Sequence, residues 1–558
     1  MKKKILCLAL SVLMIVASFV SCGDKTKEEE MMDIGMDMSK GTVTLSLYIM
    51  AEEPVSAEQE ALVEKAANEI VDKHNIKLDL RYFTEKDYYT TLEDHLQKGK
   101  DGLEKIKEEP YYIDENSRPV KYYPPINDCQ VDVFYFSGYD RYQKYMDAEY
   151  LADFASDLTN EGSSLKSGIS SLYFENATAG SEVYMMPVNK AIGEYTYMLL
   201  NKDILKSNQL VASDITSLVS DNCAELLKTV KTHYHEYAPL YSSVGALALD
   251  DIKFFGTDAK GFATDKFSIL AGTYGSTWSY GEENHYPVMS GINATKDNGT
   301  LNAFDQIRTL KEYEFNGYYT DTASKPFAVG YVKGGPEIVD KYSDDYEVVV
   351  LEAPKLTTEA FYDGVMAINA TTSDAAKSAR LLAELYSNVE LINVLVHGVE
   401  GENYIMTNSD VFDENDEPYE VVEKQVTEDK YIYNIDANKI GNPANVYPTV
   451  DEDPLRAERI LQQNREAKKD LLFGYTLYGS SVKLDPMTKI AEYSATVYDK
   501  LIEADNSTEL DAVFAEIEKM MESEEVKAVF ADGGISAKYM SWLTDNKIYV
   551  EPKTEEKK

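Results

Sequence analysis

Thr42 to Met50 alternates β-formers with small polar residues and predicts a strand. Glu52, Glu53 and Pro54 then make a loop, and Ser56 with Gln59 three positions on marks a helix start. Behind that signal Leu62, Ala66 and Ile70, flanked by Val63, Ala67 and Val71, fall on one helix face. Leu78, Leu80 and Tyr82 alternate with Lys77, Asp79 and Arg81, which predicts a second strand. Thr84 opens a second helix running through Tyr88, Leu92 and Leu96. Strand, helix, strand, helix is the order of parallel strands joined by crossover helices.

The rhythm breaks over 99–128, a charged stretch with tyrosine pairs and Pro124-Pro125 that reads as a surface insertion or hairpin. Val131 to Phe136 predicts a third strand, followed by Ser137, Gly138, Tyr139 and Asp140. Short strands follow at Val183–Val188 and Tyr195–Leu200, and Tyr346–Leu351 is strongly β-prone. Ser373 is the expected cap of a helix with Ala376, Ala379, Leu382, Ala383 and Tyr386 on one face. A further helix runs from Asn388 to a stop at His397-Gly398. Residues 411–445 read as strand, turn and loop, and the last hundred residues as mostly helical.

The start of the chain has a different pattern. Lys2, Lys3 and Lys4 precede an apolar run from Ile5 to Val20, shorter than the roughly 20 residues a spanning helix needs. Phe19-Val20-Ser21-Cys22 closes it, as a secretory signal closes. The segment resembles a bacterial lipoprotein signal, which implies that Cys22 is acylated and becomes the first residue. Gly23 to Gly41 carries no apolar period and is expected to be a flexible tether. Downstream no second apolar run is long enough to cross a bilayer, so the body is expected to be exported and held at a membrane by lipid alone.

The 558 residues carry a formal charge of -42, which disfavours nucleic acid and flat contact with anionic lipid. Apolar residues make up 44%, enough for full cores. Cys129 and Cys223 remain in the mature chain, and their spacing is weak support for a disulfide.

No Gly-x-Ser-x-Gly elbow, His-Glu-x-x-His pair, Walker loop or Gly-x-Gly-x-x-Gly turn occurs. His233 and His235 lack a third zinc ligand and read as structural. Asp413 to Glu417 resembles a calcium loop only faintly, since Pro418 stands where glycine is required, and a hairpin turn is the expectation. No metal or cofactor is expected. Tyrosine is the outlying residue, 42 copies. Its ring and hydroxyl suit polyhydroxylated ligands at low rotamer cost.

Several stretches together resemble the family 1 extracellular solute-binding lipoproteins of bacterial ABC importers, in the carbohydrate-type branch with a helical C-terminal extension. They are Asp132-Val-Phe, Tyr150-Leu-Ala-Asp-Phe with Leu158, and Gly180 to Pro187 followed by Tyr197 to Asp203. Leu310 to Tyr318, Phe327 to Val332, Asp363 to Ile368, His397 to Tyr404 and Phe473 to Leu477 continue the order. The 99–128 insertion, His397 in place of the usual tyrosine and the presence of only 2 tryptophans depart from the pattern. The resemblance implies a two-lobe α/β fold of the type II periplasmic-binding kind, each lobe a mostly parallel sheet flanked by helices, with a hinged cleft. Residues 1–21 are then the signal and 22–41 the tether. Residues 42–195 with 364–445 form one lobe, and 196–363 with 446–558 the other.

It further implies a monomeric, non-enzymatic receptor for a mono- or oligosaccharide, delivering it to ABC permease transmembrane subunits. Ligands of open α/β sheets sit beyond the carboxyl ends of strands, which nominates Glu52, Glu53, Tyr139 and Asp140. The crossing between lobes adds Tyr184 and Asn189. Trp278 and Tyr280 are the expected aromatic platform of the second lobe, and Glu402 and Tyr404 come from the His397 run. Two alternatives stay open: another solute in the same fold, such as a peptide or ferric iron on Tyr318-Tyr319, and a lipid-anchored glycoside hydrolase.

Overall fold

A computed structural model describes residues 41–108, 111–113, 119–121, 129–218, 220–242, 256–257, 263–264, 268–269, 310, 313, 326–413, 415–427, 432–477, 484–504 and 507–546. The signal, Cys22 and nearly all of the tether lie outside these residues. So do Trp278, Tyr280 and the Tyr318-Tyr319 pair.

Nine strands build the two larger sheets among the described residues: β1 (Val43–Ala51), β2 (Ile76–Thr84), β3 (Val133–Phe136), β4 (Met186–Pro187), β5 (Tyr195–Asn201), β6 (Ala238–Ser242), β7 (Phe327–Gly334), β8 (Tyr346–Glu352) and β9 (Val365–Ile368). The first sheet has the order β2-β1-β3-β9-β4. β1 pairs with β2 in parallel along its whole length, from Val43 against Ile76 to Ala51 against Thr84. It pairs with β3 in parallel at Leu47 against Val133. β9 then runs antiparallel to both β3 and β4, with Val365 opposite Phe136 and Pro187.

The second sheet, β8-β5-β7-β6, has antiparallel pairing except between β7 and β6. The α/β class therefore holds, but both sheets are mixed rather than mostly parallel. The reason is chain routing. β9 re-enters the first sheet from the second body by a short crossing, where no helical crossover is needed to turn it parallel.

The helix Ala57–Val71 explains how the sheet edge is closed. Ser56 Oγ accepts the Gln59 amide at 3.3 Å, completing half of the capping motif. The Gln59 side chain does not close the box, because its carbonyl accepts from Asn403 Nδ2 at 2.6 Å. Further along the helix Asn68 grips both backbone groups of Leu78, and Glu64 accepts the Leu80 amide at 3.0 Å. β2 is an edge strand, and these side chains satisfy amides that would otherwise recruit another strand.

The other expected elements are found with small shifts. The helix Ala375–Ser387 is capped by Asp374, one residue after Ser373, through the Lys377 amide at 3.1 Å. Val389–His397 ends at Gly398, whose φ of +88° suits glycine. The helix Glu85–Glu108 runs into the 99–128 segment, which then forms the antiparallel pair Tyr111–Ile113 and Pro119–Lys121. Tyr404–Phe412 (β10) and Pro418–Lys424 (β11) form a hairpin. Its turn is closed by Asp413 Oδ1, which accepts the Asn415 and Glu417 amides at 2.8 and 2.9 Å.

Each sheet has its own core. The first gathers Leu47, Val133, Phe134, Ile368, Leu382 and Leu395. The second gathers Met198, Leu200, Leu227 and Val329 with Ile490, Val497, Phe514 and Tyr539 from the C-terminal helices. Val513, Phe514 and Ile517 of the helix Ser507–Met521 pack into this second core. Cys223 is buried in this second core, and no disulfide joins it to Cys129. Among the described residues no helix is long and apolar enough to cross a membrane.

Three chain segments pass between the bodies and bond to one another. Residues 188–195 form the first. Lys355–Leu356 in the second pairs in parallel with Lys468–Lys469 in the third. Ile192 donates its amide to Asn464 Oδ1 at 2.8 Å, while Asn464 Nδ2 reaches Lys190 O at 3.1 Å. Gly193 has φ +58°, and a Cβ there would come within 2.9 Å of Lys355 O, so this crossing admits only glycine without backbone movement.

Candidate functional site

The carboxyl ends of β1, β2 and β3 meet at one edge of the first sheet. After β1 the chain bends through exposed Glu52 and Glu53, and Glu53 borders a hollow of about 230 Å3. Ala51, Val55, Tyr82, Phe83, Thr84 and Asp87 share its lining. Half-buried Tyr82 is held by a hydroxyl contact of 3.0 Å with Tyr433, whose own hydroxyl donates to Leu395 O at 2.8 Å. The hollow therefore offers aromatic faces and two carboxylates.

After β3 the chain turns at Gly138, φ +101°, into the helix Tyr139–Asp147. The Asp140 carboxylate folds back over that turn: a Cβ on Gly138 would sit 2.5 Å from Asp140 Oδ1. Tyr139 packs edge-on against Tyr362 with centroids 4.8 Å apart, and Tyr142 lies 4.8 Å from the same ring. Gln143 donates to the Tyr139 hydroxyl at 2.9 Å. Burial pushes the Tyr142 hydroxyl above its ordinary range, with Tyr139 and Tyr184 beside it adding to the effect. The Tyr362 hydroxyl is raised by burial, with Tyr142 and Tyr139 adding to the effect. These phenols stay protonated and able to donate.

A cation closes each side. The Arg141 guanidinium lies 3.4 Å over the Tyr89 ring and donates to Ser137 O at 3.0 Å. Lys190 pairs with Asp363, which also accepts from Ser137 Oγ at 3.1 Å. The rim is thus built of tyrosines and acids, with its cations already engaged.

The nominated residues fare differently. Glu52, Glu53, Tyr139, Asp140 and half-buried Tyr184 stand at or beside this edge. Asn189 does not present an open surface. It is 2% exposed, accepts from the Ser170 amide at 2.9 Å and from Asn464 at 3.3 Å, and donates to Asn442 at 2.8 Å. It is a strut of the first crossing. Tyr404 is also buried, 5.8 Å from the His397 ring, and burial pushes its hydroxyl up to about 12. Glu402 beside it is exposed. The turn carrying both is tied to the helix Ala57–Val71 through Asn403 and Gln59, behind the β1 loop. Trp278 and Tyr280 lie outside the described residues.

Arg141, Tyr142, Lys190, Tyr362 and Asp363 were missed by the reading from sequence. A signal for the last two existed. They precede β9 by a single glycine, Gly364, and a strand that enters antiparallel to β3 begins where β3 ends. The carboxyl-end rule, applied to parallel strands only, passed over them.

No protein-family model matches the chain, and no curated protein does. Among solved structures it is similar to the N-glycan transport solute-binding protein of Streptococcus pneumoniae, at 16% identity over 91% of this chain and 100% of that one, TM-score 0.49. It is similar to an HMO-binding, ABC-transporter-associated solute-binding protein of Bifidobacterium longum infantis, at 12% identity over 88% and 98%, TM-score 0.42. A family 1 extracellular solute-binding protein of Alicyclobacillus acidocaldarius matches at 11% identity over 87% and 100%, TM-score 0.42.

Proposed function

We propose that the chain is an extracytoplasmic receptor, anchored by lipid on Cys22, that captures a saccharide between two lobes and hands it to an ABC importer permease without altering it. The proposed lobes are 42–195 with 364–445, and 196–363 with 446–558. The observation that carries this reading is the pairing of two separately cored sheets through three mutually bonded crossings, with an aromatic and acidic rim on the carboxyl edge of the first.

Sugar rings expose C–H faces that stack on tyrosine and hydroxyls that need acceptors, and the rim supplies both. Carboxylates such as Glu53 and Asp140 accept hydroxyl hydrogen bonds worth roughly 1.5–3 kcal/mol each when desolvated. A ligand touching both lobes favours the closed arrangement by its differential contacts. The closed form is what a permease would distinguish.

A thermal-shift screen of mono- and oligosaccharides on the purified mature chain tests this. A true ligand at a hundredfold over its Kd adds about 2.7 kcal/mol of stability. A saturable shift with no sugar released supports the receptor. Release of reducing sugar decides for a hydrolase, and a coloured complex on adding ferric iron decides for a metal receptor.

A further inference from the structure

We propose that the tether docks on the first body, with Met32 to Met38 seated in a hollow at the amino end of β1 and β2. The inference goes beyond the saccharide reading and does not depend on it. It concerns how the anchored chain is held, not what it binds.

A hollow of about 560 Å3 opens between the helix Ala57–Val71 and the start of β2. Ile76, 1% exposed, is its buried apolar member, and Lys65, Asn68, Glu69, Asp72 and Lys77 line it with Thr42. The long stems of Lys65, Glu69 and Lys77 extend the apolar wall up to their charged heads. Asn68 is already engaged, since its amide bonds both backbone groups of Leu78, at 3.1 and 2.6 Å. Such a lining suits apolar side chains with charges beside them.

The path of the chain names the occupant. Thr42 lines the hollow and follows directly on the tether. Gly41 is pinned there: Lys377 Nζ donates to Gly41 O at 2.8 Å and to Asn75 O at 2.9 Å, and the Val43 amide donates to Asn75 O at 3.0 Å. The tether therefore meets the body at the lip of the hollow. Met38 stands four positions before Thr42, within about 14 Å of it, and Met32 ten, within about 35 Å.

The composition of that stretch matches the lining. No helical period orders it, but in an extended chain alternate residues share a side. Met32, Ile34, Met36 and Met38 then face one way, and Asp33 and Asp37 the other. Unbranched methionine adapts well to an irregular hollow. Lys65 and Lys77 are exposed and in no ion pair among the described residues, so their heads are available to the two aspartates. Lys40, next to Gly41, supplies the counter-charge for Glu69 and Asp72. A second copy is the weaker occupant, because two chains of charge -42 repel.

β1 runs from the hollow toward the rim, so docking leaves the rim uncovered. It also shortens the free leash from residues 22–41 to residues 22–31, and the extended reach from about 70 Å to about 35 Å.

The test is methionine oxidation of the full mature chain by dilute hydrogen peroxide, read by mass spectrometry against a free synthetic peptide of residues 23–41. Met32, Met36 and Met38 should oxidise at least roughly threefold slower in the chain than in the peptide. Ile34→Asp, and separately Lys65→Glu with Lys77→Glu, should bring the rates up toward those of the peptide. Adding Asp33→Lys and Asp37→Lys to the double lysine variant restores the slow rates, which a folding defect would not do. Oxidation at the peptide's rates in the unaltered chain overturns the docking. So does slowing that the double lysine variant leaves unchanged, or slowing that grows with protein concentration, the mark of a second copy.

Discussion

Asn464 Oδ1 accepts the backbone amide of Ile192 at 2.8 Å, and through this contact the helix Arg456–Glu466 is tied to the first crossing between the two bodies. The same side chain donates to Lys190 O and to Asn189 Oδ1. Asn189 in turn donates to Asn442, which donates to Tyr386 O at 3.2 Å inside the first body. Three buried asparagines thus form one polar relay through the region about which the bodies would move.

Asn464→Ala leaves the buried Ile192 amide without its acceptor and removes the donor to the half-buried Lys190 carbonyl. The expected loss of stability is about 2–3 kcal/mol, read from chemical denaturation. Asn464→Gln, which keeps the donor and acceptor but shifts them by one methylene, should recover little. A loss under ~0.5 kcal/mol for the alanine variant would show that the relay does not hold the crossing together.

Tyr475 is 1% exposed, and its hydroxyl has no hydrogen-bond partner among the described residues. A buried unpaired hydroxyl costs free energy that phenylalanine avoids. Tyr475→Phe should therefore leave stability unchanged or raise it by up to about 1 kcal/mol, as a shift in denaturation midpoint. A decrease of that size would mean that the hydroxyl finds a partner in solution.

Stability should fall with acid in two steps that overlap between about pH 4.5 and 3 and are told apart by mutation. Burial, with the Lys424 charge nearby, pushes His397 down to about 3. The folded chain then binds fewer protons than the unfolded chain below its ordinary value near 6.5, so stability is lost as pH falls from about 6.5 toward 3. The loss by pH 4 is about 3 kcal/mol, and it should be absent from the slope of His397→Phe. A variant with the parent slope over that window would remove His397 as the cause.

The second step belongs to Glu384. Burial pushes its carboxyl up, but bonds from His74 and Asn388 and the charges of His74 and Lys73 hold it down, at about 2. His74 Nε2 lies 3.1 Å from one oxygen and Asn388 donates to the other at 2.7 Å. Its contribution is complete above the unfolded value near 4.5 and is lost as pH falls from there to about 2, roughly 3 kcal/mol in all. Glu384→Gln should flatten denaturation curves between pH 4.5 and 2 while leaving the His397 step in place.

What could be read from sequence follows the range of the interactions involved. The β1–helix–β2 unit is local: Ser56, the alternation through Leu80 and the apolar face through Val71 each lie within a few positions of what they specify. The strand, turn and loop expected over 411–445 and the helix stop at Gly398 are legible for the same reason. Asn189 was misread because its partners, Asn442 and Asn464, lie 253 and 275 positions away, and no local period marks such a pair. Tyr404 was nominated only as part of the His397 run, and local sequence does not show that its ring is buried beside that of His397. The rim residues Tyr362 and Asp363 escaped because the antiparallel entry of β9 depends on chain routing, which hydrophobic periodicity does not encode.

The most direct measurement is titration calorimetry of the mature chain with the best saccharide from the screen, followed by mass analysis of the recovered ligand. The expected result is saturable binding of one saccharide per chain, abolished or weakened at least tenfold in Tyr362→Ala, with the sugar returned intact. Binding indifferent to Tyr362, or a ligand returned shortened, would contradict a receptor that grips a saccharide at this edge and releases it unchanged.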